Sequence, residues 1–222
     1  MKPKIIFSIQ GLPRSNIIFN LNLFLSKFLP NVDYVIPTKS MSEYLDEMYN
    51  QSESIEYEVV PNAVLDSNLI SKSKESVDHQ WYSNDEIFVI TAVGRLTNQK
   101  DFTNLINAFA LTANTLDFIR LVIIGDGEQK ELLQSLVEDL GLLSRVEFLG
   151  FQSNPYKFMR ASNLFVMSSK WEGPGHVLIE ALGTGCPVIS TNCPIGPADS
   201  VQNGEFGELV EVRNSKALRE AI

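Results

Sequence analysis

Residues 87–100 read IFVITAVGRLTNQK, a run of seven apolar or β-branched residues followed by a glycine, an arginine and, further on, a lysine. The run at 87–93 predicts a buried strand, because a parallel strand covered by helices on both faces is almost continuously apolar. A helical pattern follows at 102–113 and a second apolar strand at 120–125. Strands joined through helices pair in parallel, since a parallel crossover needs a dozen or more residues. The stretch therefore predicts an α/β fold with a parallel sheet.

The same alternation continues towards the C-terminus. Further strands are predicted at 146–150, 163–168, 187–190 and 208–212, and further helices at 128–140, 155–160 and 176–183. We therefore predict a Rossmann-like, doubly wound parallel sheet over residues 85–222. Residues 215–222 predict a helix that lacks a terminating Gly, Asn or Pro, so we expect this domain to be incomplete at its C-terminus.

The segment 1–60 predicts a partial second Rossmann-like domain. Its strands are predicted at 4–9, 32–37 and 57–60, and its helices at 16–28 and 40–49. The segment 61–84 opens with the turn residues Pro61 and Asn62 and is then rich in Ser, Asn, Asp and Lys, which predicts an interdomain linker. The 222 residues correspond to roughly one and a half domains at ~150 residues each, in agreement with one nearly complete and one partial domain.

Composition excludes several classes of function. The net charge of −9 argues against broad attraction to nucleic acid or to anionic lipid. Two cysteines and two histidines are too few for a disulfide framework or a His/Cys zinc site, so a cytoplasmic protein with reduced thiols is expected. The most apolar stretch, 17–29, is shorter than the ~20 residues that cross a bilayer and contains Asn and Lys.

Two loops that follow predicted strands carry residues suited to one anionic, hydroxyl-rich ligand. The first contains Gly94, Arg95 and Lys100, in which glycine permits close backbone approach and the two cations suit a diphosphate. The second loop leads into a helix whose first amide groups favour an anion, and Glu172 and Glu180 flank that helix start as acceptors for hydroxyl groups. From spacing alone, all four charged side chains could also be ordinary solvated residues. A nucleoside diphosphate sugar would satisfy both loops together.

The chain from about residue 60 onward resembles the donor-binding domain of retaining glycosyltransferases of the family-4 (glycosyl transferases group 1) type, which have the GT-B architecture. The resemblance lies in a set of motifs that occur in the family's order: Val60-Pro61-Asn62-Ala63-Val64, Val93-Gly94-Arg95-Leu96 with Lys100, Ile123-Ile124-Gly125-Asp126-Gly127-Glu128, Val146-Glu147-Phe148-Leu149-Gly150, the E-x7-E element from Glu172 to Glu180, Gly185-Cys186-Pro187-Val188-Ile189-Ser190-Thr191, and Gly204-Glu205-Phe206-Gly207-Glu208-Leu209-Val210. The segment 1–60 resembles the last third of the acceptor-binding domain of the same architecture.

The resemblance implies roles for individual residues. Arg95 and Lys100 would bind the donor diphosphate, Glu172 the sugar hydroxyls and Glu180 the ribose, with Glu172, Arg95 and Lys100 as the catalytic set. The remaining donor-binding residues would be Gly94, Phe151 near the base, and Gly173, Pro174, Gly175, His176, Val177 and Leu178, through the backbone amides of that stretch. Cations and a helix N-terminus would stabilise the departing diphosphate, so no metal and no cofactor is expected.

Three residues depart from the family pattern or raise a separate question. Asp101 stands where the family often has glycine, and as a helix N-cap it would bring a carboxylate near the phosphate site. Asp199 stands where the family commonly has glutamate. His176 is expected to contact the ligand or to serve the structure rather than to act as a general base.

The function expected from the resemblance is transfer of a sugar, with retention, from a nucleoside diphosphate sugar, with UDP favoured, to a glycan or lipid-linked acceptor. A lipid-linked acceptor would bring the protein to the inner face of a membrane, for which the acidic chain gives no direct support. The alternative is a non-catalytic fragment that binds the nucleotide sugar but lacks the acceptor domain. A third interpretation is a sugar-nucleotide epimerase of the same architecture. The sequence carries no indication of the oligomeric state.

Overall fold

The computed structural model of the protein describes residues 5–10, 32–49 and 56–222. The predicted helix at 16–28 lies outside these residues. The described chain has two parallel sheets, as the strand and helix alternation predicts.

The predicted elements that fall within the described residues occur in the predicted order, and two short helices, Ser67–Ser73 and Pro197–Ser200, are not among those predicted. The strands are β1 (Ile5–Ser8), β2 (Val32–Ile36), β3 (Tyr57–Val59), β4 (Phe88–Val93), β5 (Ile119–Ile124), β6 (Val146–Gly150), β7 (Leu164–Met167), β8 (Val188–Thr191) and β9 (Glu208–Val210). The helices are α1 (Lys39–Tyr49), α2 (Ser67–Ser73), α3 (Phe102–Ala113), α4 (Lys130–Asp139), α5 (Tyr156–Ala161), α6 (His176–Gly183), α7 (Pro197–Ser200) and α8 (Ser215–Ala221).

The larger sheet has the strand order β6-β5-β4-β7-β8-β9, and all its strands are parallel. From β4, the strands β5 and β6 extend in one direction and the strands β7, β8 and β9 in the other. The order therefore reverses between β4 and β7. In open sheets of this kind, ligands bind outside the carboxyl ends of the strands at that switch point.

Both faces of the larger sheet are covered, which explains the continuous apolar run of β4. Ile90 and Ala92 pack with α3, α4 and α8 on one face, and α3 contributes the fully buried Phe109. Val89 points to the opposite face, in a cluster with Trp81. Strands buried on both sides lose the alternation of polar and apolar residues that a half-exposed strand shows.

The segment 61–84 has more structure than a linker composition suggests. Its helix α2 begins after Asp66, whose carboxylate accepts a hydrogen bond from the amide of Leu69 at 2.7 Å. Trp81 is 8% exposed against the sheet, and the hydroxyl of Tyr82 is hydrogen-bonded to that of Thr91 in β4 at 2.6 Å. The second half of the segment therefore covers part of one sheet face. The domain boundaries themselves stay a prediction.

The smaller sheet, with the order β1-β2-β3, contacts the rest of the chain through the loop around α7. Ile195 is 3% exposed in a cluster with Ile9, Ile36 and other residues of the N-terminal part. Its φ of 68° is unusual for a β-branched residue. Oδ2 of Asp199 accepts hydrogen bonds from the amide and the hydroxyl of Ser40, at 3.0 and 2.6 Å. Asp199, one of the two departures from the family pattern, thus caps the start of α1.

No helix within the described ranges is long and apolar enough to cross a membrane.

Candidate functional site

The two loops singled out in the sequence begin at the switch point of the larger sheet. Residues 94–100 follow β4, and residues 168–175 follow β7, the two strands between which the order reverses. The amide of Lys170 donates to the carbonyl of Gln99 at 2.8 Å, so the loops are bonded directly to each other. Topology therefore brings together groups that lie far apart in the sequence.

The first loop is held in place by the glycine-rich turn after β5. The amide of Gly94 donates to the carbonyl of Ile124 at 3.0 Å, and that of Leu96 to the carbonyl of Asp126 at 2.9 Å. A Cβ on Gly125, whose φ is 141°, would lie only 1.9 Å from the carbonyl oxygen of Gly94. Position 125 therefore excludes a side chain. The Gly125-Asp126-Gly127 motif supports the loop that carries Lys100.

Lys100 and Glu172 form a buried ion pair across the two loops. Nζ of Lys100 lies 2.5 Å from Oε1 of Glu172, and the two side chains are 17% and 7% exposed. The hydroxyl of Ser169 donates to the same oxygen. Within the described ranges, no donor is bonded to the other oxygen, Oε2. The cation expected at the diphosphate and the carboxylate expected at the sugar are thus paired with each other in this structure.

The loop 173–175 ends in a helix start without a side-chain cap. Gly175 adopts the left-handed conformation at φ 68° and precedes α6, and no side chain caps the helix. The first amide groups of such a helix, with the positive end of its dipole, favour an anion. The amide of Leu178 already donates to the carbonyl of Gly175 at 2.9 Å, and the Leu178 side chain is fully buried. The amide groups before Leu178 are therefore the ones a ligand could use.

A cavity of about 490 Å³ opens between the two loops. Its lining contains seven of the expected residues, Lys100, Glu172, Gly173, Pro174, Gly175, His176 and Val177, together with Gln10, Gln99 and Trp171. This volume lies within the range of small-molecule sites, and the lining combines a cation, a carboxylate and backbone groups.

The other expected residues lie outside this lining. Glu180 is half-buried in α6, and burial raises the pKa of its carboxyl above its ordinary value, with Lys100 acting in the opposite direction. Arg95 is exposed, and its side chain makes no hydrogen bond or ion pair to the described residues. Phe151 is 79% exposed directly after β6, where the carbonyl of Gly150 accepts a hydrogen bond from the amide of Gly125 at 2.8 Å. Phe151 thus lies at the carboxyl end of β6, the strand at one edge of the larger sheet.

Asp101 does not cap α3 in the way its position suggests. Its side chain makes no capping hydrogen bond, and its Oδ1 lies 3.2 Å from Nζ of Lys170. The residue has φ 48° and ψ 46°, the left-handed conformation that glycine adopts without strain. The conformation accounts for glycine being suited to this position. The carboxylate expected to oppose phosphate binding is instead paired with a cation of the second loop.

His176 is exposed at the start of α6 and contacts the beginning of the segment 61–84. Nδ2 of Asn62 lies 2.8 Å from Nε2 of His176 and 2.9 Å from Oε1 of Gln10. An amide NH₂ has two protons and can donate to both groups. Donation by Asn62 makes Nε2 the acceptor, which leaves the proton of a neutral imidazole on Nδ1. The three side chains connect the chain just after β1, the segment 61–84 and the start of α6.

Sequence reasoning missed several polar residues at this site. Gln99 lines the cavity and donates from Nε2 to the carbonyl of Trp171 at 2.9 Å. Ser169 and Lys170 resemble ordinary loop residues in the sequence, although each bonds a carboxylate of the site. The signal that could have found them is their position at the ends of predicted parallel strands. Gln10 carries no local signal, because it reaches the cavity through tertiary structure.

The two cysteines play no part in this arrangement. Cys186 and Cys193 are both buried, and burial raises the pKa of each thiol to about 12. Thiols in this state are poor nucleophiles, since the thiolate is the reactive form.

Comparison with known proteins gives a consistent result. The family described as "Glycosyl transferases group 1" matches residues 73–222, about two thirds of the chain. An uncharacterized glycosyltransferase of Methanocaldococcus jannaschii is 38% identical over 173 residues, which cover 78% of this chain and 43% of that protein. The N-acetylgalactosamine-N,N'-diacetylbacillosaminyl-diphospho-undecaprenol 4-alpha-N-acetylgalactosaminyltransferase of Campylobacter jejuni is 33% identical over 209 residues, or 91% of this chain and 54% of that protein.

Solved structures share the fold at lower sequence identity. A glycosyltransferase from Rickettsia africae superimposes with a TM-score of 0.80 at 17% identity, covering 99% of this chain and 59% of that one. Anabaena HepE, solved in complex with UDP and glucose, gives a TM-score of 0.76 at 21% identity, with 98% of this chain and 60% of that one covered. The fold is thus that of GT-B glycosyltransferases. The chain spans about half the length of the curated relatives it matches.

Proposed function

Since the chain belongs to the glycosyl transferases group 1 family, we propose that it binds a nucleoside diphosphate sugar in the cavity between the loops 94–100 and 168–175. We propose further that this donor site serves a family-4 type glycosyltransferase, which transfers the sugar with retention of configuration to a glycan or lipid-linked acceptor. The chain spans about half the length of its curated relatives, so transfer is proposed for the whole protein.

The observation that carries the proposal is the meeting of Lys100, Glu172 and the uncapped start of α6 in one cavity. A diphosphate needs cations and backbone donors, and a sugar needs carboxylates that accept from its hydroxyl groups. All three kinds of group line the same cavity at the switch point of the sheet. A nucleotide sugar can use all three kinds of group at once.

The proposed mechanism stabilises the leaving group. As the bond between sugar and diphosphate breaks, negative charge develops on the diphosphate. Lys100, Arg95 and the first amide groups of α6 would stabilise that charge. Glu172 would orient the sugar through its hydroxyl groups, and Glu180 would accept from the ribose. This set of cations and amides needs no metal ion, so transfer should be insensitive to a chelator.

The names of one relative and one structural neighbour support the choice of ligands. The Campylobacter jejuni relative acts, by its name, on a diphospho-undecaprenol saccharide, and Anabaena HepE was solved with UDP. UDP is therefore the first nucleotide to test, and a lipid-linked saccharide is the first acceptor. An acceptor of that kind would bring the protein to the inner face of a membrane.

Calorimetric titration of the chain with UDP, GDP and ADP tests the donor site. We expect saturable binding of one of the three that is lost in an Arg95→Ala, Lys100→Met double variant. An absence of saturable binding, or binding that the double variant retains, would refute the site. Alanine at Glu180 should weaken binding of that nucleotide, whereas glutamine at Glu138, an exposed carboxylate of α4, should leave it unchanged.

The second candidate function is binding without transfer. It needs only the donor cavity, which the two loops and the start of α6 form without an acceptor site. Release of UDP from a UDP-sugar in the presence of a lipid-linked acceptor distinguishes transfer from binding alone. The anomeric configuration of the product, determined by NMR, tests retention. Conversion of the donor without an acceptor would instead indicate the epimerase.

A further inference from the structure

The ion pair between Lys100 and Glu172 must be broken before a ligand can bind Lys100. Oε1 of Glu172 accepts both from Nζ of Lys100 and from the hydroxyl of Ser169, and the carboxylate is 7% exposed. A diphosphate that takes Lys100 away leaves this carboxylate with Ser169 alone. A buried carboxylate that loses its cation is strongly destabilised unless other donors replace it.

Free nucleoside diphosphate and nucleoside diphosphate sugar differ in their ability to replace that donor. The free nucleotide competes with Glu172 for Lys100 and lacks the attached sugar whose hydroxyls could donate a hydrogen bond to the carboxylate. The sugar nucleotide makes the same demand on Lys100, but its sugar hydroxyls can donate to Glu172. Oε2, which has no donor within the described ranges, is the free acceptor for them.

We propose that Glu172 determines the preference of this site for a sugar nucleotide over the corresponding free nucleoside diphosphate, because it holds Lys100 in an ion pair unless sugar hydroxyls replace that cation. The inference rests on the proposed function. After transfer, the acceptor takes the sugar and its hydroxyls leave Glu172, which then draws Lys100 back from the diphosphate. The same pair thus assists release of the product.

The test compares the native chain with Glu172→Gln, a variant of the same shape without the charge. Calorimetric titrations with UDP and with UDP-glucose give the two dissociation constants. We expect roughly tenfold tighter binding of UDP, which corresponds to about 1.4 kcal/mol. We also expect the preference for UDP-glucose over UDP to fall by at least the same factor. Glu138→Gln removes the same charge from α4 and should change neither constant.

Two further variants show whether the effect passes through Lys100. In a Lys100→Met background, Glu172→Gln should no longer tighten UDP binding, so the cycle of four proteins should be strongly non-additive. Ser169→Ala removes the second donor to Oε1 and strengthens the hold of Glu172 on Lys100. It should therefore weaken UDP binding severalfold, in the direction opposite to Glu172→Gln.

The outcomes separate the inference from the proposed function. If the native chain binds UDP but Glu172→Gln does not bind it more tightly, the inference is overturned and the donor site is retained. The same holds if Glu172→Gln tightens UDP binding in the Lys100→Met background as well. If Glu172→Gln does not fold, a Ser169→Ala variant that binds UDP as well as or better than the native chain overturns the inference. If the native chain binds none of UDP, GDP and ADP, the proposed function and the inference both fail.

Discussion

Replacing Lys100 by methionine would leave Glu172 ionised at 7% exposure without its cation. Methionine is unbranched and flexible like lysine and only one heavy atom shorter, so packing changes little and the charge is the main loss. We expect this variant to be clearly destabilised at neutral pH. The prediction concerns folding and holds whatever the cavity binds.

The magnitude follows from the geometry. At 2.5 Å between Nζ and Oε1, an effective dielectric constant of ~20 gives a Coulomb attraction of about 7 kcal/mol, most of which offsets the desolvation of the two charges. Removing one partner of a buried pair costs roughly 3–5 kcal/mol. Lys100 keeps some exposure and Ser169 still donates to Glu172, which puts the expected loss at the lower end, at about 3 kcal/mol.

The assay is equilibrium unfolding in urea for the native chain, Lys100→Met, Glu172→Gln and the double variant. The double variant should recover about 2 kcal/mol relative to Lys100→Met, because no ionised carboxylate is left unpaired. A Lys100→Met variant that loses less than about 1 kcal/mol would refute this account of the ion pair.

Three further predictions concern residues around the site. Asp101→Ala should destabilise the chain by about 1–2 kcal/mol, because alanine must adopt the left-handed backbone and loses the contact with Lys170. Asp101→Gly should cost less, since glycine adopts that backbone without strain. The urea midpoints of the two variants test the difference. Asp199→Ala removes the acceptor of two hydrogen bonds from Ser40 and should speed hydrogen exchange at the Ser40 amide severalfold, measured against the unaffected amides of α4. Burial raises the pKa of Glu180 relative to the unfolded chain, so its ionised form opposes folding at neutral pH. Glu180→Gln should therefore raise Tm at neutral pH. The gain in Tm should disappear as the pH falls, because the native carboxyl then becomes protonated.

The elements that sequence reasoning placed well are those with a local signal. β4 is found at Phe88–Val93 within the predicted 87–93, and α3 matches the predicted 102–113, because both carry a hydrophobic pattern that their own residues define. The parallel sheet follows from the alternation of such elements. The loops at the carboxyl ends of β4 and β7 could be identified for the same reason.

The contacts that sequence reasoning missed are long-range. Polar composition indicates a linker at 61–84, yet Trp81 and Tyr82 pack that segment onto the sheet, and local composition carries no information about such contacts. The sequence predicts a ligand contact for each of Lys100 and Glu172, and nothing in their positions along the chain indicates that they pair with each other. The contact between Asp199 and Ser40 joins distant parts of the chain and is equally invisible in the sequence.

The burial of Ile195 among N-terminal residues affects how this protein can be recombined with its relatives. A chimaera that joined residues 1–60 to the donor domain of another glycosyltransferase would separate Ile9 and Ile36 from the side chain that completes their cluster. A single junction near residue 60 is therefore not sufficient for such an exchange. A working chimaera should carry the loop around Ile195, with its left-handed backbone, together with the N-terminal segment.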